Sequence, residues 1–130
     1  MDDGVGGGVG GGVGGGVGSG VTGPPGLSTR WAVARVTGPS MAPTVRHGDR
    51  LLVARRSSAA PGDVVLARFP ARPELLVVKR VVRAVPGGWW VEGDNRLVAD
   101  DSRAFGPAVV VGRVLLRLCP RPGRLPRSRP

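Results

Sequence analysis

The chain has one lysine, one histidine, one cysteine and no tyrosine. A single cysteine, Cys119, excludes an internal disulfide, so the fold must rest on packing and hydrogen bonds. His47 and Cys119 are 72 positions apart and match no metal-ligand spacing, so no metal or other cofactor is expected. Three tryptophans and two phenylalanines offer little stacking surface for single-stranded nucleic acid. Nowhere does the chain reach the ~18 consecutive apolar residues that a membrane-spanning helix needs. Acidic residues are also scarce, 9 against 19 basic ones, giving a net charge of +10. Such an excess raises the question of a polyanionic partner. Here 18 of the basic residues are arginines, spread through strand-like segments and a Pro-rich end, so the charge reads as arginine-biased composition and no nucleic-acid partner is expected.

What is abundant is glycine, and most of it falls in residues 1–30, where Val-Gly-Gly-Gly repeats from Val5 to Gly16. Such a segment buries almost nothing and loses much entropy on ordering, so it reads as a disordered leader. Residues 31–120 then form one domain, and 121–130, with four arginines among prolines, read as a disordered tail. Strand signals cover Trp31–Val36, Arg50–Ala54, Asp63–Arg68, Leu75–Val85, Trp89–Glu92 and Val109–Leu118, each bounded by Gly, Pro or Asp. No long helical stripe is present. The pattern predicts an all-β domain of coiled, barrel-like sheets.

The one lysine, Lys79, lies inside the apolar run Leu75-Leu76-Val77-Val78-Lys79-Arg80-Val81-Val82. A lysine can lose its proton whereas a guanidinium in a protein does not. Burial among apolar neighbours favours the neutral amine, which makes Lys79 a candidate general base. In strand geometry it shares a face with Leu75, Val77 and Val81. The candidate nucleophile is Ser40 in Gly38-Pro39-Ser40-Met41-Ala42-Pro43-Thr44, where two prolines hold a non-helical turn that can present a hydroxyl in one orientation. Serine paired with lysine is a recognised alternative to the Ser-His-Asp triad. His47 is the competing base, but its turn, Arg46-His47-Gly48-Asp49, is explained by turn chemistry without catalysis. Trp89 and Trp90 point to opposite faces of a strand, one towards the core and the other towards a groove.

Four segments in order carry a resemblance. They are Gly38–Thr44, Gly48–Val53, Val78–Val82, and Gly93-Asp94-Asn95 through Asp101-Ser102-Arg103 to Phe105-Gly106. Together they resemble the boxes of type I signal peptidases over about residues 31–120. Within that superfamily, Pro61–Leu66, Leu75–Arg80 and Gly88–Asn95 are most similar to the nickel-type superoxide dismutase maturation proteases, which are soluble relatives.

The resemblance implies the fold shared by signal peptidases and LexA-like repressors, and assigns the nucleophile to Ser40 and the base to Lys79. It implies a serine endopeptidase that removes the N-terminal leader of a nickel superoxide dismutase precursor, its protein partner. With the missing apolar run, a cytoplasmic location without a membrane span is expected. Thr37 and Gly38 are candidate oxyanion donors beside the Ser40 backbone N–H. Asp94, Asn95, Asp101, Ser102 and Arg103 are implied to support the site. Ala99 stands where many members carry a serine that hydrogen-bonds the lysine, so Lys79 must be oriented by something else. The alternatives are a general signal peptidase-like protease without an anchor, a self-cleaving repressor fragment, for which residues 1–30 cannot supply the helical DNA-binding domain, and an inactive peptide-binding module.

Overall fold

The computed structural model describes residues 30–129. The Gly-rich leader assigned to 1–30 therefore lies, but for its last residue, outside the described residues. Six strands and one helical turn make up the rest: β1 (Trp31–Arg35), β2 (Arg50–Arg55), β3 (Val64–Phe69), β4 (Arg72–Val85), β5 (Gly88–Glu92), α1 (Ser102–Phe105) and β6 (Val109–Cys119). Each strand overlaps a β-branched, turn-bounded run of the sequence. The single turn of α1 has no such signature, being too short for a periodic stripe; its start is marked by the N-cap Asp101.

All pairings are antiparallel and form one sheet in the order β1-β2-β6-β3-β4-β5. The domain is all-β as expected, and its sheet is open and curled, with β1 and β5 at the edges. Bulges interrupt every ladder except β1–β2, and each extra residue bends its strand and sharpens the twist. The curl encloses apolar side chains on both faces. One cluster includes Ala32, Ala34, Val36, Met41, Leu51, Val53, Val64, Leu66, Val78 and Val114. The other includes Val65, Ala67, Phe69, Val77, Val81, Val91, Ala108 and Val110. Strand β4 runs between them, so Leu76 to Val81 are buried without the alternation of a half-exposed strand.

The C-terminal segment departs from the disordered tail expected at 121–130. Residues 121–129 lie against the sheet: Gly123 and Arg117 exchange backbone hydrogen bonds, Leu125 packs on the first cluster, and Arg127 pairs with Asp63. Arginine-proline composition hides this, because what secures the segment is carboxylates remote in sequence, Asp63 for Arg127 and Glu92 for Arg129.

Gly112 marks a close crossing in the core. A Cβ there would sit 2.5 Å from Val53 Cγ1 and 3.2 Å from the Ala54 carbonyl oxygen. Val53 is enclosed and has little room to yield. Gly112→Ala is expected to cost ~1–3 kcal/mol of stability, read as a lower urea midpoint with an unchanged slope.

Candidate active site

Ser40 sits in the connection between β1 and β2. This connection is closed by Val36 N–H to Asp49 O at 2.8 Å and Gly48 N–H to Val36 O at 2.8 Å. Within it, Ala42 N–H donates to Pro39 O at 3.0 Å and Val45 N–H to Met41 O at 3.1 Å. Met41 and Val45, 1% and 0% exposed, anchor the turn in the first cluster. Gly38 enters it with φ of 84°, a conformation that costs glycine little and other residues more. Two apolar anchors and a fixed entry leave Ser40 one orientation. Its side chain is completely buried, and its Oγ makes no hydrogen bond within the described structure.

The segment after β5 holds the other side of this turn. Asn95 N–H donates to Ser40 O at 2.9 Å, and Asn95 Nδ2 to Pro39 O at 3.0 Å. Asp94 N–H meets Met41 Sδ at 3.4 Å, and the Thr44 hydroxyl donates to Asp94 Oδ2. Gly93 packs so closely on Ser40 that any Cβ there would collide with the Ser40 carbonyl oxygen.

Lys79 enters from β4. It pairs with Val65 in the ladder and shares its face with Val77 and Val81, so the amine stem lies on the second apolar cluster, and the residue is 0% exposed. That is the face expected from the strand pattern. Arg80, one residue on, faces the opposite side and pairs in the ladder with Glu92, which precedes Gly93. The register thus carries Lys79 and the Gly93–Asn95 clasp on Ser40 to the same end of the sheet.

Arg80 carries no role in the sequence reading, and the structure shows it to be a hub. Its Nε and Nη2 bind Asp94 at 2.8 and 2.7 Å, and Nη1 donates to Gly62 O at 2.9 Å and Pro126 O at 2.8 Å. Its position inside an apolar run was the available signal, since a buried guanidinium needs several acceptors.

Asp101 and Ser102 hold the exit of β5 from below. Asp101 Oδ2 accepts the Gly93 N–H at 3.0 Å, and Ser102 Oγ accepts the Val91 N–H at 2.9 Å. Arg103 returns to Asp101 through Nε at 2.9 Å and Nη2 at 2.7 Å, and Nη2 also reaches Val98 O at 3.1 Å. With Asp101 0% exposed, this pair brackets the end of β5 rather than lying as a fully solvated surface pair.

Two expectations change. Gly38 N–H, a candidate oxyanion donor, instead donates to His47 Nδ1 at 3.1 Å. His47, set aside as a base, therefore braces the serine turn. Trp89 packs on the second cluster, while Trp90 donates to Glu92 Oε2 at 2.9 Å and lies beneath Arg83, so among the described residues its polar and cation contacts are to Glu92 and Arg83 rather than to the serine turn.

Burial alone would raise the Asp101 pKa, but hydrogen bonds from the Arg103 side chain and the Gly93 and Arg103 backbones outweigh it and hold the carboxyl below its usual value. A depressed folded pKa stabilises above the unfolded value of ~3.9, and that stabilisation is lost as pH falls through the folded pKa. Asp101→Asn is therefore expected to lower unfolding free energy by ~1–3 kcal/mol at pH 7, with the gap from wild type narrowing below about pH 4 in denaturant titrations.

Comparison with known proteins places this geometry. Residues 26–115 match the family described as Peptidase S24-like. The chain is 35% identical over 111 residues to mitochondrial inner membrane protease subunit 1 of Xenopus tropicalis, covering 65% of this chain and 66% of that protein. It is 34% identical over 119 residues to mitochondrial ATP-independent inner membrane protease subunit 1a of Arabidopsis thaliana, covering 68% and 71%. The human mitochondrial inner membrane protease subunit 1 is 30% identical over 115 residues, covering 68% and 69%. The chain thus spans about two thirds of the length of these relatives. They overturn the cytoplasmic location expected from the sequence, since each is named for a mitochondrial inner membrane. That expectation rested on the missing apolar span; among the described residues no helix is long and apolar enough to cross a membrane, and this does not by itself place the chain in the cytoplasm. The chain belongs to the Peptidase S24-like family, and the chemistry that goes with this family and these protease-named relatives is that of a serine peptidase hydrolase.

Proposed function

We propose that the chain is a signal peptidase-like endopeptidase working through Ser40 as nucleophile and Lys79 as general base. The observation that carries this is the burial of the only lysine on an apolar face, at the end of the sheet where the serine turn is clasped. Desolvation disfavours the ammonium, so the neutral amine becomes accessible. Neutral Lys79 Nζ takes the Ser40 hydroxyl proton as Oγ bonds to the scissile carbonyl carbon. When the tetrahedral adduct collapses, the C–N bond breaks and Nζ returns the proton to the leaving amine. A water then gives a proton to Nζ as it attacks the acyl-serine, and as the Oγ–C bond breaks Nζ returns that proton to Ser40 Oγ, restoring the hydroxyl and the neutral amine. The Ser40 backbone N–H and the Thr37 hydroxyl are the candidate oxyanion donors, since His47 engages Gly38.

The substrate supported by the wording of Pro61–Leu66, Leu75–Arg80 and Gly88–Asn95 is the precursor of a nickel superoxide dismutase, cut once near its N-terminus. A second reading, favoured by the relatives named for a mitochondrial inner membrane, is removal of leaders from proteins delivered to a membrane. Mass spectrometry of both precursor types after incubation separates the readings, since only the true substrate is shortened at one bond.

Lys79→Arg is expected to inactivate as completely as Lys79→Ala, because arginine keeps charge and reach but does not deprotonate. Ser40→Ala abolishes turnover, and wild-type turnover rises with pH as the neutral amine is populated. Retention by Lys79→Arg of more than about a tenth of wild-type kcat would sink the dyad. His47→Ala loses only a bracing hydrogen bond and is expected to slow turnover about fivefold.

A further inference from the structure

The last described residues belong to none of the boxes, yet they are tied to the clasp on Ser40. Arg129 donates from Nη1 to Glu92 Oε1 at 3.0 Å and from Nη2 to Gly93 O at 3.0 Å. Arg127 donates from Nη1 to Asp63 Oδ1 at 2.6 Å and from Nη2 to Pro61 O at 3.0 Å. Between them, Pro126 O accepts from Arg80 Nη1 at 2.8 Å, and Leu125 packs on the first apolar cluster. The segment bridges the turn before β3 to the segment after β5 and passes over the buried Arg80.

Gly93 explains why this matters. It lies just past the end of β5, an edge strand, and side chains take both of its backbone groups: Asp101 accepts its N–H and Arg129 donates to its C=O. These two contacts hold a residue packed on the Ser40 carbonyl, next to the Asn95 N–H that bonds the same oxygen. Asp101 belongs to a motif of the site. Arg129 holds the same residue through its carbonyl and belongs to none.

We propose that Arg129, presented by residues 125–129, is a positioning residue for the nucleophile. It fixes Gly93 so that the Gly93–Asn95 segment holds the Ser40 turn. The proposal rests on the reading of Ser40 as the nucleophile.

The test uses the full chain carrying Arg129→Ala, Arg129→Lys or Arg127→Ala, with Arg124→Ala as a charge-matched control on an exposed arginine of the same segment. Steady-state cleavage of a leader peptide, acylation of Ser40 by a fluorophosphonate probe followed by mass spectrometry, and amide hydrogen exchange are measured on samples with cooperative thermal unfolding. Arg129→Ala is expected to lower kcat and the acylation rate about tenfold, with KM within about twofold. Arg129→Lys recovers part of the loss, and Arg124→Ala behaves as wild type. The Asn95 amide exchanges faster in Arg129→Ala while the Val65 amide in central β3 does not change. An unchanged kcat in a folded Arg129→Ala protein overturns the proposal, and so does a rise in KM alone, which would make Arg129 a substrate-recruiting charge. If wild type cleaves and acylates nothing, the functional reading fails, and Asn95 exchange still decides whether Arg129 holds the clasp: unaltered exchange overturns it.

Discussion

The Arg80 guanidinium is 2% exposed and meets a fully buried Asp94 carboxylate through two near-parallel hydrogen bonds. A buried ion pair returns its desolvation cost only when its remaining donors and acceptors are also satisfied. Each of those extra bonds pulls in a different part of the chain. Asp94 receives the Thr44 hydroxyl from the serine connection, while Arg80 reaches the Gly62 carbonyl before β3 and the Pro126 carbonyl near the C-terminus. One pair thereby ties three further segments remote in sequence to β4 and to the segment after β5. Removing either partner of such a pair costs about 3–5 kcal/mol, because the other charge is left buried alone.

Strand pleat lets two adjacent cations serve opposite ends. Lys79 and Arg80 are neighbours, so their side chains leave β4 on opposite faces. On one face are Val77 and Val81, an environment that favours a neutral amine. On the other are a carboxylate and two carbonyls, an environment that suits a permanent cation with a planar fork of donors. Exchanging the two residues would put an unremovable charge in the apolar cluster and a single ammonium before acceptors spread too widely for it. The order Lys-Arg is thus a requirement of the two faces.

The strands and the two residues proposed for the chemistry were legible in the sequence because their signals are local. Runs of Val and Leu between Gly, Pro and Asp give β-structure wherever they occur, and the placement of Lys79 with Val77 and Val81 follows from a period of two. The supporting residues were legible only as members of motifs. That Asp101 accepts the Gly93 N–H, and that Ser102 accepts the Val91 N–H, depends on a helical turn too short to leave a pattern. Arg80, Arg127 and Arg129 were hidden by number: 18 arginines look alike until the fold shows which few meet buried acceptors.

By itself the sequence determined the all-β class, the strand boundaries to within a few residues, the serine turn and the face on which the single lysine lies. Tertiary structure decided that the sheet stays open and curled, that His47 accepts the Gly38 N–H, and that the arginine-rich end packs against the sheet. The division has one physical cause. Backbone propensity, pleat and proline geometry act within a few residues and are written where they act. Satisfying a buried charge or an orphaned peptide group needs a partner from anywhere in the chain, and only folding selects which one arrives.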